Sequence, residues 1–193
     1  MRRHREEKKG SKFLVYFIGF IMVFSVFGVI FWGDGDSAET MRYNGFKFVN
    51  KGSFLSVNVD GREAMFTYFP SDVEIIPVDG NLIERLKGVI EIDATSDFND
   101  TFAEDIALAE YQMSITLNNF GLFARNGFTT KNNNFDVITC EDSSNFVPVI
   151  YFKSSNETKV YLDGDCMIAE ASSGIDVLRI KDRLVYGILR VIK

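Results

Sequence analysis

Positions 13–32 (FLVYFIGFIMVFSVFGVIFW) run for twenty residues without one charge. A helix rises 1.5 Å per residue, so this stretch covers about 30 Å, the hydrocarbon thickness of a bilayer. The leader before it holds six basic residues (Arg2, Arg3, Arg5, Lys8, Lys9, Lys12) and two acidic ones (Glu6, Glu7), net +4. The whole chain is −6, so positions 13–193 carry −10. The first charges after Trp32 are Asp34, Asp36 and Glu39. Positive charge near a span stays on the cytoplasmic side. The expected order is a cytoplasmic leader (1–12), a transmembrane helix inserted in the lipid bilayer (13–32), a short linker (33–40) and one extracytoplasmic domain (41–193). A cleaved signal peptide is the main competitor. Its apolar region is shorter and ends at small residues, whereas this run is long and is followed by Gly33-Asp34-Gly35-Asp36.

Lys8-Lys9-Gly10-Ser11 before a long apolar segment resembles a prepilin leader. The likeness departs from that pattern at Lys12 and at Val15, which stands where pilins carry a glutamate. A pilin helix also runs on into its soluble domain, and Gly33-Asp34-Gly35-Asp36 should stop this one.

The rest is long enough to bury a core without metals. Its acidity excludes a basic stripe for phosphate contacts, so no nucleic-acid partner is expected. The two cysteines, Cys140 and Cys166, suggest a disulfide in an oxidising compartment. At a separation of 26 residues, such a bridge stabilises by about 3.5 kcal/mol in the chain-entropy model.

The apolar pattern of the domain predicts an α+β fold with an antiparallel meander, a mixed sheet and two main helices. Leu55, Val57 and Val59 alternate with polar residues, and Asp60-Gly61 favours a two-residue hairpin turn. That turn sets Val59 against Arg62, Val57 against Ala64 and Leu55 against Phe66. With the Phe46 strand, this predicts three meander strands. Thr101 and Glu104 have capping-box spacing. Phe102, Ile106, Ala109, Met113, Leu117 and Phe120 form one stripe of a helix that ends at Gly121. Strands are expected at 89–92, 136–139, 147–152, 158–162 and 167–171, with tight turns joining the last three. A final helix is expected over 175–192. The strand–helix–strand unit around 101–120 suits a crossover connection.

His4, on the cytoplasmic side, is the one histidine. The exterior therefore lacks a Ser-His-Asp or Cys-His arrangement and a histidine metal ligand. Carboxylates at Asp93, Asp97, Asp100, Glu104 and Asp105 cluster near the Thr101 helix, where a glycosidase-like pair would need two groups facing at a set separation. Acidic residues there also complement the helix dipole. Asp163-Gly164-Asp165 and Asp34-Gly35-Asp36 lack the further ligands of an EF-hand loop and read as turn and linker. Asn99-Asp100-Thr101 and Asn156-Glu157-Thr158 match the glycosylation acceptor, with Asn156 in an expected exposed turn. No cofactor and no catalytic or metal residue is assigned. The basic residues Arg179, Lys181, Arg183 and Arg190 suit a helix packed on the domain's own sheet, or one lying on an anionic membrane. Tyr43, Phe46, Phe54, Phe66, Tyr68 and Phe69 suit a core, or a groove.

Tyr43-Asn44-Gly45-Phe46-Lys47-Phe48, the run 137–152, Gly164-Asp165-Cys166-Met167-Ile168 and the run 181–189 together resemble uncharacterised single-pass membrane proteins of archaea. The resemblance implies a membrane location, the cysteine pair and an archaeal source. It implies no activity. The expected function is a non-enzymatic, membrane-anchored ectodomain that binds a protein partner or supports a surface assembly. A carboxylate-dependent hydrolase of surface glycans or peptides and a pilin-like subunit are the alternatives.

Overall fold

The computed structural model describes residues 14–22, 39–132 and 135–192. The chain divides into two units, Met1–Ala38 and Glu39–Lys193. In the first, residues 14–22 are helical and exposed throughout. The rest of the expected span 13–32, and the prepilin-like leader, lie outside the described residues. No helix among the described residues is long and apolar enough to cross a membrane.

The second unit is α+β, with an antiparallel sheet and a mixed sheet. The first sheet is a meander of β1 (Thr40–Tyr43), β2 (Phe46–Asn50), β3 (Leu55–Val59) and β4 (Arg62–Phe66). The β3–β4 register pairs Val59 with Arg62, Val57 with Ala64 and Leu55 with Phe66, as the alternation and the Asp60-Gly61 turn require. Both turn residues have positive φ, 51° and 82°, as a type I′ turn demands. The meander has four strands rather than three. Asn44-Gly45, with φ of 46° and 84°, makes a second such turn, and β1 begins inside the stretch read as linker.

Pro70 opens the short helix α1 (Pro70–Val73), where its missing N–H costs nothing. Another short helix, α2 (Leu82–Arg85), follows before the second sheet. The second sheet comprises β5 (Glu91–Ser96), β6 (Phe123–Phe128), β7 (Val149–Ser154), β8 (Lys159–Asp163) and β9 (Cys166–Ala171), in the order β6-β5-β7-β9-β8. Only β8–β9 is antiparallel. The two long helices are α3 (Ala103–Asn118) and α4 (Gly174–Ile188). β5–α3–β6 is the parallel crossover that the spacing suggested.

Several expectations fail locally. β6 reads Phe-Ala-Arg-Asn-Gly-Phe, too polar to announce a strand. The strand expected at 136–139 reduces to one bridge, Phe128 to Val137. The last three strands are not a simple meander, because β9 inserts between β7 and β8. The Thr101 capping box does not form. Asp100 takes its place, its Oδ1 accepting from the Phe102 N–H at 2.8 Å. The helix does end at Gly121 (φ 76°): Gly121 N–H bonds to Asn118 O and Leu122 N–H to Leu117 O, the Schellman arrangement.

One face of the second sheet (Ile92, Ala94, Ile150, Phe152, Met167, Ala169) joins Ile106, Met113 and Leu117 of α3, Val177, Ile180 and Leu184 of α4, and Phe48, Val57 and Phe66 of the meander in a single core. The opposite face has a smaller cluster of Ile138, Val149, Cys166 and Ile168. There the segment around Cys140 is fastened to β9 by the Cys140–Cys166 disulfide, with Cα atoms 5.1 Å apart.

α4 packs into the domain rather than presenting a basic face. Lys181 is buried and pairs with buried Asp182. Asp182 Oδ2 also accepts from the Thr67 and Tyr68 N–H groups at 2.8 and 2.7 Å, and Tyr186 Oη donates to the Tyr68 carbonyl at 2.7 Å. Two side chains of one helix, Asp182 and Tyr186, thus satisfy the backbone where the meander ends, and Lys181 neutralises the first of them. Phe66 stacks on Tyr186, and Phe48 meets both Phe69 and Tyr186 edge-on, so most of the aromatic residues singled out from the sequence serve the core.

Candidate interaction surface

β6 stands at the margin of the second sheet, and its inner side is fully used. Phe123 N–H bonds to Ile90 O and Thr129 N–H to Ser96 O. The odd-numbered residues of the strand therefore point their backbone groups at β5, and the even-numbered ones point theirs outward. At the far end the outward groups are met: Phe128 N–H bonds to Asp136 O and Ile138 N–H to Phe128 O, both at 2.9 Å. Gly127 lets the 136–138 segment come this close, because a Cβ there would meet Asp136 O at 2.7 Å. Ala124 and Asn126 have no backbone partner on their outward side among the described residues. Such a free edge is a template for another strand.

Apolar side chains frame this open stretch. At its start stand Ile90, 74% exposed, and Phe123, 64% exposed. At its end Phe128 contacts Phe98 at 6.2 Å and Phe135 at 5.2 Å, both edge-to-face. Phe135 is 62% exposed, and Val137, exposed too, is the residue bridged to Phe128. Phe146, 83% exposed, tips the tight turn closed by Ser144 N–H to Val147 O. Aromatic residues grouped on a surface mark an interaction site more than scattered aliphatics do.

One charged pair orders the strand. Arg125 Nε and Nη2 donate to the two oxygens of buried Asp93 at 2.8 and 2.6 Å. Those bonds raise the Arg125 pKa above its ordinary value and keep the guanidinium charged. The fork spans β5 and β6, so it fixes the edge strand in register.

The carboxylates singled out from the sequence are distributed among structural tasks. Asp93 holds Arg125. Asp97 Oδ1 accepts from the Asn99 N–H at 2.9 Å. Asp100 Oδ2 accepts from the Ser154 N–H and hydroxyl at 2.8 and 3.0 Å, tying the ends of β5 and β7 together. Glu104 is exposed, and Asp105 lies against Gly174 at the start of α4, where a Cβ would meet its Oδ2 at 2.0 Å. Further along the same sheet face, burial pushes the Glu170 carboxyl up, but bonds from Lys153 and Tyr161 outweigh it and hold it below its ordinary value. Asn99 and Asn156 are both exposed, while the Thr158 hydroxyl is engaged with Ser172 at 2.9 Å. Asp163-Gly164-Asp165 is the β8–β9 turn, with Asp165 paired to Arg85 at 2.8 Å. No group of three or more His, Cys, Asp or Glu among the described residues is placed to hold a metal.

Sequence reasoning overlooked Phe98, Phe123, Phe128 and Phe135. Isolated phenylalanines in polar stretches were their one signal. Comparison with protein-family models, with curated proteins and with solved structures finds no match to the chain.

Proposed function

We propose that the chain is a non-enzymatic, membrane-anchored ectodomain that binds an extended segment of a partner polypeptide along the outer edge of β6. The carrying observation is the pair of outward-facing backbone positions, Ala124 and Asn126, framed by Ile90 and Phe123 at one end and Phe98, Phe128 and Phe135 at the other. Strand addition supplies the two main-chain positions, and the apolar ends supply side-chain pockets. The charge-free run 13–32, the basic leader and the disulfide support the anchored, outward-facing placement. Asp93, Asp97, Asp100 and Asp105 are committed to ion pairs, turns and helix contacts and Glu104 is exposed, which favours binding over hydrolysis.

A photo-crosslinking residue placed at Phe135 in membranes should give one discrete adduct that is lost when Asn126 is replaced by proline. The same residue placed at Ile75, exposed at another edge of the domain, should give none. Equal adducts from both positions, or none from Phe135, contradict the reading.

A further inference from the structure

A second feature lies away from β6, where α2 crosses α4. Gly187 of α4 permits the crossing, since a Cβ there would meet Ile83 Cδ1 at 2.6 Å. Beside it opens a cleft of about 540 Å³, lined by Val78, Asp79, Ile83, Arg183, Arg190 and Ile192 together with Glu84 and Lys87. That volume lies within the range of small-molecule sites.

The cations in this cleft are unusual for an acidic domain. Lys87 is paired with Glu84. Among the described residues, neither Arg183 nor Arg190 makes a side-chain hydrogen bond or ion pair, although Glu74 and Tyr43 act on Arg183 electrostatically. Arg183 sits one helical turn before Gly187, and its Nε is buried without a partner. Burial lowers its pKa, the cost of holding a cation away from water. Arg190 adds an independent anomaly. Arg190 N–H bonds to Gly187 O and Val191 N–H to Tyr186 O, so Arg190 occupies the left-handed position of a Schellman cap, with φ 59°. Glycine normally stands there because other residues are strained. The fold would favour glycine, yet an arginine stands there and reaches the cleft.

We propose that this cleft binds the phosphate of a small phosphomonoester, with Arg183 and Arg190 on its oxygens and the organic part against Val78, Ile83 and Ile192. A phosphate dianion matches two guanidinium groups that no direct ion pair neutralises among the described residues, and its three terminal oxygens accept from both. Asp79, whose side chain has no hydrogen bond or ion pair among the described residues, lines the same cleft and favours a hydroxyl or amine on the organic part. The phosphate comes from a soluble ester or from a lipid headgroup.

The test is calorimetric titration of the full chain, in zwitterionic detergent, with phenyl phosphate, using benzoate as the carboxylate comparison. Phenyl phosphate should bind saturably and about tenfold tighter than benzoate. Arg183→Gln and Arg190→Gly should each weaken it by about tenfold. Arg190→Gly also controls for folding, because relieving the left-handed strain should raise Tm while affinity falls. Dihexanoyl phosphatidate that competes better than phenyl phosphate assigns a lipid source, and one that competes worse assigns a soluble ester. No saturable binding, benzoate binding as tightly, affinity unchanged in both variants, or a lower Tm with intact affinity in Arg190→Gly overturns the proposal.

Discussion

Glu110 is an acid buried at a cost. It is 5% exposed on α3, its Oε1 has no hydrogen-bond partner, and burial pushes its carboxyl up to about 8. The folded chain therefore holds a proton there that the unfolded chain gives up near its ordinary value of 4.5. A raised carboxyl pKa means stability is lost as pH climbs between those two values and levels off above the upper one. Glu110→Gln should remove that slope and stabilise the domain at pH 8 by on the order of 2 kcal/mol. Urea titrations at pH 5 and pH 8 measure the difference, and a variant that keeps the slope contradicts the assignment. Asp182 behaves oppositely on truncation. It neutralises Lys181 and accepts two backbone N–H groups at the end of the meander. Asp182→Ala leaves a buried ammonium and two unpaired donors, and should cost about 3–5 kcal/mol. A loss below about 1 kcal/mol in chemical denaturation would mean that water reaches this junction.

Elements were legible where local chemistry left one choice. Asp60-Gly61 fixed a hairpin and its register because positive φ at both positions suits few other residues. The α3 stripe and Gly121 fixed a helix and its end. Asn44-Gly45 held the same kind of signal, but the polar residues before Thr40 hid the strand it served. β6 was hidden for a different reason. Its polarity reflects a margin position, where Arg125 and Asn126 meet solvent, and a strand defined by its parallel partner leaves little periodic trace. The Asp100 cap and the arginines of the α2–α4 cleft depend on contacts between residues far apart in sequence, which no local pattern encodes. At this scale, Gly61→Ala should destabilise by about 1–2 kcal/mol, since an alanine is strained at φ 82°. Thermal unfolding reads that cost, and an unchanged Tm would show that the turn relaxes. Replacing both Cys140 and Cys166 by alanine should cost about 2–5 kcal/mol. Hydrogen exchange should rise first at 136–142, because the bridge fastens that segment to β9. Uniform exchange across the domain would argue against that local role.

At the scale of the whole molecule, an apolar N-terminal run precedes a domain whose second sheet has one face closed by helices and the meander and the other partly closed by a disulfide-tied segment. Among the described residues the outer edge of β6 stays open at Ala124 and Asn126, and that is where a partner strand would add. Amide hydrogen exchange of Ala124 and Asn126, measured in native membranes and again in detergent-purified chain, is the direct test. Pairing with a partner strand predicts exchange slower by about a hundredfold in the membranes, with Ala94 on the inner strand unchanged. Equal exchange of Ala124 and Asn126 in both preparations would contradict the claim that this edge is where the molecule binds.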